Sequence, residues 1–140
     1  MPVSRPLPSV IGPAENALRA LLTKTLSTTA IKTYPGWVCL NALSKASVTP
    51  SNGNWRLAVA DALKVELGEV EGVLDQLRAT GLVGNDDMPT ALGETELAKG
   101  RSTVSRATSC LVEGIGEEEQ ETVRQVLDQI RRKAEELLRT

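Results

Sequence analysis

Histidine and phenylalanine are absent from the 140-residue chain, aromatic residues make up 2% of it, and it has two cysteines, Cys39 and Cys110. Without histidine there is no imidazole general base and no Cys/His zinc site. The aromatic side chains are Trp37, Trp55 and Tyr34, so the core has to be built from Leu, Val and Ala. An aliphatic core without a strong alternating period favours helices packed on helices. No run approaches the roughly 18 apolar residues of a membrane span, and the first residues carry no apolar signal-peptide stretch. The expected location is therefore the cytoplasm, with no membrane partner. A phosphate-binding glycine loop and a nucleophile beside a base are missing too, which argues against an enzyme and predicts no cofactor and no metal.

Charge is present but unevenly spread, and the net value of −2 conceals it. Residues 1–56 hold six bases (Arg5, Arg19, Lys24, Lys32, Lys45, Arg56) and one acid, Glu15, a balance of +5. Residues 57–98 hold two bases, Lys64 and Arg78, against nine acids (Asp61, Glu66, Glu69, Glu71, Asp75, Asp86, Asp87, Glu94, Glu96), a balance of −7. The remaining residues hold eight of each sign. The middle third is the acidic third, either as a solvated face or as a surface for a basic partner.

The length fits one domain, with an N-terminal arm ahead of it. Residues 1–12 contain Pro2, Pro6 and Pro8 without helical periodicity and are expected to be an extended, flexible arm. Pro13 suits a first helical turn, and Ala14, Ala17, Leu18, Leu21, Leu22 and Leu26 then share one face. Thr33-Tyr34-Pro35-Gly36 breaks the chain before a short helix opened by Trp37, which is expected in the core. Residues 47–54, SVTPSNGN, read as a loop, with Asn54 capping a helix from Trp55 to about Leu63. A further helix follows from Glu66 to about Ala79, in which Gly68 costs about 1 kcal/mol relative to Ala. Gly81-Leu82-Val83 and Met88-Pro89 flank Asn85-Asp86-Asp87, a turn sequence that predicts a very short hairpin. Asp86 and Asp87 have metal-ligand chemistry together with Glu94, but the turn is the commoner meaning. Thr90 is placed to cap a long helix that ends before Gly114 and Gly116. The last helix, from Glu117 to about Arg139, sets Val123, Val126, Leu127, Ile130, Ala134, Leu137 and Leu138 in one stripe.

In order and spacing these pieces resemble the MarR (multiple antibiotic resistance regulator) family of dimeric winged-helix repressors. The resemblance runs from about Pro13 to Leu138. Val59-Ala60 is similar to the Leu-Ala opening of the family's first reading helix, with Leu63 and Val65 at its Leu-Gly-Val turn. Val70 and Leu77 match spaced apolar positions of the recognition helix, Gly81-Leu82-Val83 its Gly-Leu-Val before the wing, and Thr90 and Gly93 its Leu-Thr-x-x-Gly after it. Tyr34-Pro35-Gly36-Trp37 resembles the start of the second helix, and Gly114-Ile115-Gly116 with Glu119 the turn into the last one. The implied fold is mainly α: a winged helix-turn-helix lobe over about residues 35–93 with a small β-hairpin wing. Terminal helices over about 13–31 and 92–139 would flank it as a dimerisation layer, all within one domain, 13–140.

Two readings of function follow. The resemblance implies a homodimeric transcriptional regulator that binds DNA, for which the candidate contacts are Lys45, Arg56, Lys64, Glu66, Glu69 and Arg78. Dimerisation would use Leu18, Leu21, Leu22, Val123, Val126, Leu127, Ile130 and Leu137. Family recognition helices present Ser, Thr and Arg, whereas this one begins with Glu66, Leu67, Gly68, Glu69, Glu71 and Gly72, and its wing lacks an Arg. Glu94 likewise follows Gly93 where the family often has Arg. Local charge thus counts against the duplex, because Lys and Arg supply most non-specific affinity. The second reading is a winged-helix interaction module that binds a basic protein partner through Glu66, Glu69, Glu71, Asp86 and Asp87. The resemblance also implies a small-molecule pocket between the terminal helices and the winged-helix lobe, lined by Trp37 and Leu22. Cys39 and Cys110 are expected to be buried structural thiols rather than redox sensors.

Overall fold

Prolines open the first helix rather than precede it. In the computed structural model, which describes residues 5–48 and 55–140, α1 (Leu7–Leu26) has Pro6 at its N-cap and Pro8 in its first turn. A residue without an N–H is tolerated there, because the first N–H groups of a helix have no intrahelical acceptor. The extended arm expected over residues 1–12 is corrected from Leu7 onward, and residues 1–4 lie outside the described part. Pro13 stands inside α1, not at its start.

Thr33 starts the next helix. Its Oγ1 accepts from Gly36 N at 3.1 Å and its carbonyl from Trp37 N at 3.0 Å, which satisfies first-turn donors of α2 (Tyr34–Val48). The segment expected to break the chain is therefore a helix start, and a side chain at Gly36 would meet Thr33 Oγ1 at 2.9 Å. Ser47 and Val48 belong to α2; the rest of the expected loop, with the Asn54 cap, lies outside the described residues.

Two helices of similar ending follow. α3 (Trp55–Leu63) closes with Lys64 N donating to Asp61 O at 3.1 Å and Val65 N to Ala60 O at 3.0 Å. This is the Schellman pattern, and it holds Lys64 at a left-handed φ of 56°. α4 (Leu67–Ala79) closes in the same way, with Gly81 N donating to Arg78 O at 3.1 Å and Leu82 N to Leu77 O at 2.9 Å. Here the left-handed position, φ 80°, is a glycine, which takes it without strain.

The wing is smaller than expected. No strand forms among the described residues, and the hairpin is reduced to one antiparallel bridge between Val83 and Pro89. Gly84 N donates to Met88 O at 2.9 Å and Asp87 N to Gly84 O at 3.1 Å, so the tip is a tight turn. Pro89 has no N–H with which to extend a ladder. Thr90 then caps α5 (Ala91–Leu111), its Oγ1 accepting from Gly93 N at 3.0 Å. The last helix is α6 (Glu117–Leu138).

The chain divides into two compact units, residues 1–107 and 108–140. In the first, α2, α3 and α4 pack on one another and α1 packs on α2. Ile31, Cys39, Leu40, Leu43, Leu74, Leu77, Leu82, Val83 and Leu97 form the main core, with Trp37 and Trp55 packed against it. Val59, Ala60 and Val70 form a second cluster with Leu63 and Val65. In the second unit, α6 leaves Val123, Leu127, Leu137 and Leu138 exposed, with Val126 and Ile130 half-buried. On α1, Leu18 is exposed while Leu21 and Leu22 are half-buried. Among the described residues no helix is long and apolar enough to cross a membrane.

The glycines separate into those the packing needs and those it does not. A Cβ at Gly93 would stand 2.0 Å from the Leu82 carbonyl oxygen, whereas one at Gly72 would meet nothing within 4 Å. Gly93→Ala should therefore destabilise by at least about 1–3 kcal/mol through overpacking against backbone. Gly72→Ala should stabilise by about 0.5–1 kcal/mol through helix propensity. Urea unfolding of the two variants beside the parent chain measures both signs.

Candidate nucleic-acid interface

The turn between α3 and α4 sets which side chains α4 turns outward. Val70, Leu74 and Leu77 face the core, while Glu66, Leu67, Gly68, Glu69, Gly72, Asp75 and Gln76 are exposed. Glu66 occupies the N-cap of α4 without a side-chain bond to it. Glu69, in the first turn, lies where the helix dipole favours a carboxylate. Gly68 also lies in that turn with open space around it, so no close contact requires its missing side chain.

The two arginines expected to face a duplex are already engaged. Arg56 Nη2 donates to Asp87 Oδ2 at 2.7 Å and Nε to Glu71 Oε1 at 2.5 Å. Its guanidinium also lies over the Trp55 ring, 4.5 Å from the centroid. Arg78 donates through Nη2 to Asp87 Oδ1 and through Nη1 to Asp75 Oδ1, the latter at 2.7 Å. Asp87 thus joins α3, α4 and the turn, and its own backbone adopts a left-handed φ of 60°. The hydrogen bond from Arg78, followed by that from Arg56, holds the Asp87 carboxyl below the usual carboxylate range. The same contact with Asp87 raises both guanidinium pKa values further. Two cations and three carboxylates make the cluster an anionic one.

The other candidate residues are dispersed. Lys45 is exposed near the end of α2, and Lys64 pairs with Asp61 at 3.0 Å. Glu71 and Asp87, expected to face a partner, both accept from Arg56, which the packing of α3 on α4 and the turn after α4 bring within their reach. Asp86 accepts from Met88 N at 3.1 Å, and Glu94 from Ser44 Oγ at 3.1 Å. The three acids weighed as a metal set therefore have separate partners, and no group of three metal-ligating side chains occurs among the described residues. Glu96 was counted in the sequence only as charge. It is buried, accepts from Ala30 N at 3.1 Å and pairs with Lys99 at 3.0 Å, tying the segment after α1 to α5.

A cavity of about 570 Å³ opens between α1, the start of α2, the end of α3 and α4. Val59, Leu63, Val65, Val70 and Val73 give it an apolar floor, with Arg19, Tyr34, Glu69 and Gln76 as polar groups. Trp37 and Leu22, expected to line the pocket, do not. Trp37 packs on α5, where a Cβ at Gly100 would meet its ring at 2.7 Å. On α1 it is Arg19 and Thr23, one turn apart, that line the cavity. Arg19 pairs with Glu15 and lies over Tyr34, 5.7 Å from the ring centroid.

The cysteines differ from each other. Cys39 is a fully buried core thiol whose pKa burial pushes up to about 11. Cys110 is exposed, which corrects its expected burial. It stands near the C-terminal end of α5, in the second unit.

No family model matches the sequence, and no curated protein does. Solved structures do match. The Mycobacterium tuberculosis MarR family protein Rv2887 in complex with DNA is 22% identical, with a TM-score of 0.70 over 91% of this chain and 98% of that one. The same protein in complex with salicylic acid is 21% identical, with a TM-score of 0.67 over 90% and 98%. A MarR family transcriptional regulator from Rhodococcus sp. RHA1 is 22% identical, with a TM-score of 0.72 over 93% and 98%. At this identity the likeness shows the fold: the chain has the architecture of MarR family regulators along nearly its whole length.

Two measurements check the electrostatics. A thiol reagent at pH 8 should label one cysteine, Cys110, in the native chain and both after denaturation, because Cys39 is covered and almost wholly protonated at that pH. Asp87, with its depressed folded-state pKa, stabilises the fold fully above its unfolded pKa and loses that contribution as pH falls through the folded value. The urea midpoint should thus hold from pH 7 to about 5 and decline below about 4. Asp87→Asn should flatten part of the decline, and Glu96, also depressed, through its hydrogen bonds from Lys99 and Ala30 N, should account for more of it.

Proposed function

We propose that this chain is a MarR-like transcriptional regulator, working as a homodimer that binds DNA through α3 and α4. The observation that carries the reading is fold coverage. α1 to α6 follow an architecture that matches 98% of a regulator solved in complex with DNA, at a TM-score of 0.70. The exposed Leu18 on α1 and Val123, Leu127 and Leu137 on α6 supply apolar surface for a twofold partner. Glu66 and Glu69, at the start of α4, accept hydrogen bonds from cytosine N4 in the major groove. Lys45 and Lys64 lead the phosphate contacts, with Arg56 and Arg78 held in reserve by Asp87. The cavity beside α4 takes a small ligand, as the salicylic acid complex of Rv2887 suggests by likeness.

With so few bases at the interface, affinity should depend weakly on salt. Each phosphate neutralised contributes about −0.9 to the slope of log K against log salt, so two to four contacts give a slope of about −2 to −4. Selection of genomic fragments on the immobilised protein, followed by titration of an enriched duplex, should return saturable binding with that shallow slope. Sedimentation should give about twice the 15.0 kDa chain mass. No enriched fragment at any salt would remove the reading.

A second reading is favoured by one observation, the neutralisation of Arg56 and Arg78 by Asp87, Glu71 and Asp75. On that reading the exposed Glu66 and Glu69 dock a basic protein partner and DNA is not bound. Failure of the DNA selection, together with capture of a basic protein that Glu66→Lys with Glu69→Lys loses, would replace the first reading with this one.

A further inference from the structure

We propose that Asp87 is an internal substitute for a nucleic-acid phosphate, a residue that sets duplex affinity low by occupying Arg56 and Arg78. The inference rests on the DNA-binding reading and adds to it a residue outside the recognition helix. Guanidinium groups bind carboxylates and phosphates through the same fork of N–H donors. Asp87 presents Oδ2 to Arg56 Nη2 at 2.7 Å and Oδ1 to Arg78 Nη2, one oxygen to each arginine. All three side chains are about a third exposed, with values of 28–33%, so the cluster lies at the surface where a phosphate can reach it.

The turn does not depend on these ion pairs for its shape. Leu82 and Val83 are buried, Val83 bridges Pro89, and Gly84 N, Asp87 N and Thr90 N all donate to main-chain carbonyls at 2.9–3.1 Å. Exposed ion pairs contribute little to stability by comparison. Arg56 is also held independently of Asp87, by the Trp55 ring and by Glu71. Removing the Asp87 charge therefore leaves a pre-positioned guanidinium without one of its anions. The left-handed φ of 60° at Asp87 makes the test conservative, since Asn and Gly both take that conformation readily.

The experiment is fluorescence anisotropy with a random-sequence duplex and a fragment-selected duplex, each titrated across a salt series. Thermal unfolding is recorded for every protein. Asp87→Asn and Asp87→Gly should each tighten binding at least fivefold at low salt. They should steepen the salt slope by about 1 to 2, the value for one or two further phosphates neutralised. On an Arg56→Gln, Arg78→Gln background, adding Asp87→Asn should change affinity less than twofold and leave the salt slope unaltered. A structural role alone would move the unfolding midpoint and leave the slope unchanged. An unchanged affinity and slope in both folded Asp87 variants overturns the proposal. So does a gain that survives loss of both arginines, which would reflect net charge only. Binding by the Asp87 variants where the wild type binds no duplex would support the masking and reject the regulator reading. Binding by neither rejects both.

Discussion

The fold is most tightly constrained at the Leu82 main chain. Its N–H closes the end of α4 on Leu77 O at 2.9 Å, its carbonyl accepts from Thr90 N at 3.0 Å, and its side chain is fully buried. Gly93 approaches so closely that any side chain there would stand 2.0 Å from the Leu82 oxygen. The end of α4 and the start of α5 are thereby held against each other, and the chain between them has room for one bridge and a tight turn. That confinement brings Asp87 within reach of Arg56 on α3 and Arg78 on α4. A longer wing would carry its tip away from both.

Charge is allocated accordingly. The apolar positions of α4 define the helix pair, and nothing in that packing dictates the polar face. On this chain the face is acidic, and the nearby cations are shared among Asp87, Glu71 and Asp75. A duplex approaching α4 meets carboxylates before it meets free guanidinium. Electrostatic steering by phosphates is correspondingly weak, and specificity would have to come from base-edge contacts and shape rather than from charge. The fold alone therefore does not fix what this acidic face binds.

Much of this organisation was legible in the residues. Val70, Leu74 and Leu77, spaced by four and three, identified the buried face of α4, and Gly81-Leu82-Val83 and Thr90 with Gly93 located the constrained corner. The start of α1 was not legible, because a proline in a first turn and a proline before a helix look alike until the cap is seen. The hairpin was expected to be very short, and it is reduced to one bridge because Pro89 on its returning side has no N–H to extend a ladder. The Arg56–Asp87–Arg78 arrangement has no periodic signature, since its members come from three segments brought together by tertiary packing. The lining of the cavity depends on the rotation of α1 about its axis, which apolar spacing fixes only to within a neighbouring residue.

That cavity and the candidate interface share a helix. Glu69, Gly72, Val73 and Gln76 of α4 line the cavity, and Glu69 also stands in the first turn, where the helix would meet a groove. A ligand changes duplex affinity only as far as it binds the duplex-competent and incompetent arrangements differently. Here the two sites share α4 itself, so any displacement of Val70 or Val73 by an occupant moves Glu66 and Glu69 with them. Coupling is reciprocal, so a duplex that fixes α4 fixes the cavity wall as well. Open space beside Gly68 and Gly72 leaves the outward side of α4 free of steric restraint, while Leu74 and Leu77 hold its inner side to the core. Val70, buried in the second apolar cluster, anchors the beginning of α4 as well, and the first turn there carries the carboxylates on which the functional readings differ.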